Sequence, residues 1–110
     1  IQYVPQPAGL IARLLDALQP RGEVHVIDTP LYDSADVPAA RARSLRHYAE
    51  IGVPEMANAY HHHAWNAFDS PAADVLYRPD SAFRRMERRW LRRARSPFPW
   101  LRFVRPQPTP

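Results

Sequence analysis

The chain predicts an α/β fold, and three observations carry that prediction. A leucine-lined helical stripe covers residues 8 to 18, Pro20 and Gly22 break it, and a β-branched run fills residues 23 to 28. Ile1-Gln2-Tyr3-Val4 reads as the tail of a strand already under way. Strand, helix and strand then fit within about thirty residues, the length of a βαβ unit with a right-handed crossover. In open sheets built from such units, ligands sit beyond the carboxyl ends of the strands. Two places would therefore face a ligand: Gln2 and Tyr3 after the first strand, and Asp28, Thr29 and Tyr32 after the second.

Each element has its own warrant. Pro5 and Pro7 bracket a turn, and Pro7 suits the first helical position because the N–H it lacks would have no partner there. Leu10, Ile11, Leu14, Leu15 and Leu18 make one wide apolar stripe, with Arg13 and Asp16 opposite. The next run holds Val24, Val26 and Ile27, interrupted only by His25, and suits a strand covered on both faces. Asp36 is placed to cap a helix from Val37 to Ile51, which Gly52 and Pro54 end. Its inward face would use Val37, Ala40, Leu45 and Tyr48. Residues 55 to 68 have helical spacing, Val75-Leu76-Tyr77 reads as a short strand, and residues 82 to 94 as a helix capped by Asp80 or Ser81. Ser96-Pro97 stops that helix, Trp100 to Arg105 forms a final strand, and residues 106 to 110 form a disordered tail.

Composition narrows the class. At 110 residues there is room for one domain, and 45% hydrophobic content with three tryptophans is enough for a core. Thirteen prolines against three glycines make a stiff chain. The absence of cysteine removes disulfides and thiolate metal sites. No apolar run reaches the length of a membrane span and no signal peptide opens the chain, so a cytoplasmic location is expected. Because Ile1 opens in mid-strand, the chain reads as a piece of something longer. Charge is unevenly spread. Residues 1 to 80 carry six arginines and ten carboxylates, whereas residues 81 to 110 carry nine arginines and one glutamate.

The stretch IQYVPQPAGLIARLLDALQPRGEVHVID resembles the back half of a class I S-adenosylmethionine-dependent methyltransferase. Proteins of that family carry an aromatic or His at the end of the fourth strand, then a Pro-x-Pro turn. A Leu-rich helix follows, ending in Leu-x-Pro-Gly-Gly, and the fifth strand closes on an acidic residue. Tyr3, Pro5, Pro7, Leu18, Pro20, Gly22 and Asp28 fall in those places. Gln6 stands where an aspartate is common, and Arg21 replaces the first glycine of the pair. The similarity is strong over about the first third of the chain.

The resemblance implies that residues 1 to 105 are the C-terminal part of a methyltransferase domain. That part is the end of a Rossmann-like doubly wound sheet, with a helix after strand five and a closing antiparallel strand pair. It implies methyl transfer from S-adenosylmethionine to a small-molecule acceptor. Gln2 and Tyr3 would border the cofactor, with Asp28, Thr29 and Tyr32 on the substrate side. In that family the chemistry is mostly positioning, so no universal catalytic residue is carried over. Glycines only at positions 9, 22 and 52 leave no glycine-rich cofactor loop. The resemblance places that loop before Ile1, and the isolated piece would bind cofactor poorly and not turn over. With one sheet edge bare, it would also be unstable.

Three features remain. His61-His62-His63 invites a metal, but consecutive helical residues point about 100° apart and cannot close on one ion. On a strand, His61 and His63 would share a face without a carboxylate partner, so no metal site is assigned. A half-exposed helix end at the substrate rim is the plainer reading, and a histidine there could act as general base for a phenol or amine. Arg84, Arg85, Arg88, Arg89, Arg92 and Arg93 lie on one helical arc, with Phe83, Met86, Trp90 and Ala94 opposite. That face is either a solvated surface or, as the alternative function, a basic module of residues 84–95 for nucleic acid or another anionic surface. No aromatic interleaves the arginines for base stacking. Asp28 either caps its own turn or contacts a ligand.

Overall fold

A computed structural model of the protein describes residues 1–79, 86, 89 and 96–109. The expected helix at 82–94, and with it the arginine face of 84–95, lies outside the described residues apart from Met86 and Arg89. Both of these have helical backbone, and Met86 is exposed.

Helix α1 (Pro7–Ala17) starts with Pro7 in its first turn and stops where Leu18 turns extended. Strand β1 (Glu23–Val26) follows. Between them Arg21 sits at φ 65°. A Cβ on Gly22 would lie 2.7 Å from the Leu18 Cβ and 2.9 Å from the Gln19 carbonyl oxygen, so only glycine fits that turn. Strand β2 (Leu31–Tyr32), helix α2 (Val37–Glu50), strand β3 (His63–Ala64), strand β4 (Ala73–Tyr77) and strand β5 (Trp100–Val104) complete the regular elements described, with 3₁₀ turns at Ser34–Asp36, Pro54–Asn58 and Trp65–Phe68.

The architecture is mixed α/β. The larger sheet has the order β1-β5-β4, and β5 is antiparallel to both neighbours. Consequently β1 and β4 run in the same direction with a reversed strand between them. A second, two-stranded sheet pairs β2 with β3 in parallel. Ile11 from α1, Val26 from β1, Leu101 and Phe103 from β5 and Phe68 form one buried cluster. Phe103 is 1% exposed and lies at its centre.

Several expectations need correction. Residues 1–4 form no strand: the Val4 N–H closes a turn on the Ile1 carbonyl at 2.9 Å, and the Gln2 carbonyl accepts from the His61 N–H at 2.7 Å. With those groups taken, no parallel ladder with β1 forms, and the βαβ crossover is absent. β1 is also not covered on both faces. Its outward face carries His25 beside Arg102, which binds the Asp74 carboxylate at 2.9 Å. Trp100 Nε1–H donates to His25 Nδ1 at 2.8 Å, leaving Nε2–H of that ring to donate to Glu23 at 2.8 Å. Asp36 stands at the start of α2 without a side-chain capping bond. Leu45 is 52% exposed rather than inward. Residues 55–68 are not one α-helix. Histidines and Asn58 are poor helix formers, and pairing of His63–Ala64 with β2 draws that stretch out straight.

No helix among the described residues is long and apolar enough to cross a membrane.

Candidate functional site

The residues expected to face a ligand divide between two places. Gln2 and Thr29 meet directly: Thr29 Oγ1 donates to Gln2 Oε1 at 3.2 Å, and the N-terminal ammonium donates to the same oxygen at 3.1 Å. Thr29 is only 2% exposed. Asp28, at φ 54°, turns away into a separate cleft of about 390 Å³ lined by Ile27, Tyr77, Phe98 and Trp100. A non-glycine residue in the left-handed region is strained, and here the strain redirects the chain at the end of β1. Asp28 and Thr29 are neighbours in sequence but serve different surfaces.

Tyr3 and Tyr32 belong to a cluster of rings. Tyr3 meets Tyr60 edge-on at 5.8 Å, Tyr60 lies 5.0 Å from His62, and His62 lies 5.7 Å from Tyr32. Tyr48 completes the group at 6.5 Å from Tyr60. Rings at these separations attract through offset and edge contacts. Between α2 and residues 60–62, Tyr32, Tyr48, Tyr60 and His62 wall a cleft of about 300 Å³, to which α2 also contributes Ala40, Arg43, Ser44 and His47, while Tyr3 stays outside it.

The three consecutive histidines take three different situations. His61 stacks on His63 at 6.2 Å. His63 is buried, packs edge-on against Phe68 at 5.9 Å, and its Nε2 has no hydrogen-bond partner among the described residues. His62 turns into the tyrosine cleft, where its Nε2 and the Ser44 hydroxyl are 2.8 Å apart, while its buried Nδ1 is unpartnered. Among the described residues no three His, Asp or Glu side chains converge on a point that could hold a metal.

Burial lowers the pKa of His62, and the positive charges of Arg41 and Arg43 lower it further. His63 is lowered by burial too, while the backbone of Ile1 and Val4 pulls the other way. Burial among the neighbouring phenols raises that of Tyr60. The cleft therefore presents a neutral imidazole, neutral phenols and a hydroxyl beneath a cationic rim. It can bind and orient a small ring.

Sequence reasoning named Tyr32, His61 and His63, weighed His62 only as part of the histidine run, and passed over Arg43, Ser44 and Tyr60. A signal for Ser44 existed, since Ala40, Ser44 and Tyr48 step by four along α2. No protein-family model, curated protein or solved structure matches the chain.

Proposed function

We propose that these residues form the acceptor-side, closing part of a class I S-adenosylmethionine-dependent methyltransferase that methylates a small molecule as part of a longer enzyme. One observation carries the reading: β5 lies reversed between two strands of common direction, in the order β1-β5-β4. A closing antiparallel pair beside the strand that ends on an acidic residue is the ending the resemblance calls for, and α2 follows that strand as expected.

The turn before β1 adds support. Position 21 adopts φ 65°, a conformation that favours glycine, and position 22 tolerates no Cβ. The glycine pair of the resembling motif thus has a physical reason to occupy these two positions. The parallel partner expected at residues 1–4 is absent, so the reading rests on the antiparallel end of the sheet and not on a crossover. A cytoplasmic location belongs to the same proposal.

The residues present do not by themselves fit the cofactor. The Gln2 carboxamide oxygen is already engaged by the Thr29 hydroxyl, and Tyr3 is 58% exposed against another ring. Neither supplies a cradle for an adenosyl group or a carboxylate for its ribose. What this chain offers is the acceptor cleft. The isolated 110 residues are accordingly expected to bind S-adenosylhomocysteine more weakly than micromolar.

The test is to express the complete reading frame that contains this sequence. It would be incubated with methyl-labelled S-adenosylmethionine and small phenols, amines and carboxylates. Labelled product is expected. A full-length protein with neither product nor saturable binding of S-adenosylhomocysteine would overturn the reading.

A further inference from the structure

We infer that the cleft between α2 and residues 60–62 is a binding site for a small planar aromatic anion, a phenolic carboxylate being the simplest example. The inference deepens the methyl-acceptor reading above and rests on it only for the role of the bound molecule, not for its binding.

Shape comes first. The walls are the rings of Tyr32, Tyr48, Tyr60 and His62, spaced 5.0 to 6.5 Å between neighbouring centroids around a volume of about 300 Å³. That volume is at the small end of ligand cavities and suits a molecule of one or two rings. Flat aromatic walls favour a flat aromatic guest, which meets them in the same edge and offset contacts they make with one another.

Charge comes second. A cage of tyrosines could also hold an organic cation through the ring faces. The surroundings here argue against one, because no carboxylate lines the cleft and Arg43 does. Arg43 is exposed on α2 and makes no ion pair among the described residues. Burial disfavours protonation of His62, and the positive charges of Arg41 and Arg43 add to it. The same field that repels a proton there attracts an anion. A planar guanidinium can take a carboxylate through two parallel N–H···O bonds.

Polarity comes third. Ser44 and His62 already hold each other at 2.8 Å, so the floor offers one hydroxyl–imidazole unit to a polar substituent on the ring. A phenol hydroxyl opposite the carboxylate is the natural match. The occupant is therefore apolar on both faces, anionic at one end and hydroxylated at the other.

The experiment uses the full-length protein that contains these residues, without added cofactor. Binding of 4-hydroxybenzoate is measured by calorimetry or ligand-observed NMR, with 4-hydroxybenzamide as the uncharged counterpart and tetramethylammonium as the cationic competitor. Saturable binding of the benzoate about tenfold tighter than the amide is expected, as is a loss of about tenfold on Arg43→Gln with no change for the amide. Arg43 is exposed, so this variant leaves the fold intact. Tyr60→Leu is expected to weaken both ring ligands, and the Arg43 result decides the matter alone if that variant does not fold. Equal affinity for acid and amide, indifference to Arg43→Gln, or preference for tetramethylammonium each overturns the inference. Binding as expected without methyl transfer by the full-length protein leaves this site standing and removes the methyltransferase reading. Methyl transfer without benzoate binding does the reverse.

Discussion

Ile11, Val26, Leu101 and Phe103 close the sheet half of the molecule with apolar surface alone, whereas the half built on α2 closes around rings that carry polar atoms. In the first half the buried cluster is wholly apolar, although Leu14, Val75 and Leu76 stand exposed around it. In the second, Thr29 and His63 are buried while Leu45 and Ile51 are exposed, the inverse of what hydrophobicity orders. Burying an imidazole and a hydroxyl costs stability unless each finds a polar partner. The sheet half is scaffold, and the α2 half holds the cleft proposed above as a binding site.

That contrast can be broken experimentally, starting where the effect is largest. Phe103→Ala removes the centre of the scaffold core and is expected to destabilise the protein by about 3–5 kcal/mol, read from urea denaturation. A loss below about 1 kcal/mol would mean that the sheet is not the stabilising half. Gly22→Ala tests the turn that feeds β1. Its Cβ would press on backbone as well as on Leu18, and a loss of about 1–3 kcal/mol is expected, with β1 retained in hydrogen exchange.

The third test moves to the histidine side. His62 and His63 have folded pKa values below their ordinary 6.5, so below that pH the unfolded chain takes up protons that the folded chain refuses. Stability is therefore full above about pH 6.5 and falls as the pH drops from there toward the folded values. His63→Leu should flatten part of this decline, measured as the urea midpoint between about pH 7.5 and about pH 5.5. An unchanged slope would show that His63 is hydrated rather than buried. The smallest effect is expected at Leu45→Ser, within about 0.5 kcal/mol, because its side chain stands in water on α2. A larger loss would place Leu45 in a core and erase the contrast between the halves.

The scaffold half was the more legible in the sequence, for a physical reason. Leu-rich periodicity ending at Pro20 and Gly22, and short runs of β-branched, leucine and aromatic residues at 24–26, 75–77 and 100–104, are strong local signals, and α1, β1, β4 and β5 follow them. The α2 half obeys a weaker code. Two-residue strands such as Leu31–Tyr32 and His63–Ala64 are too short to show a period. Leu45 drew the inward face of α2 toward itself because apolar residues are taken as inward, while the side facing the rings is Ala40, Ser44 and Tyr48. Among the three consecutive histidines, sequence could not tell which ring turns to the cleft. That depends on the His61 N–H reaching the Gln2 carbonyl across some sixty residues. Residues 1–4 misled in the opposite way: they have the composition of a strand, but a strand exists only when paired.

The order β1-β5-β4 also sets a schedule. β1 and β4 never touch; each meets only β5, which comes after both along the chain. While a ribosome is still threading out residues before Trp100, neither early strand has anything to zip onto, and Val26 waits without its β5 neighbours. Assembly of the whole sheet is one late event. A nascent chain halted before Trp100 should keep α1 as local helix while showing none of the pairing of the β1-β5-β4 sheet.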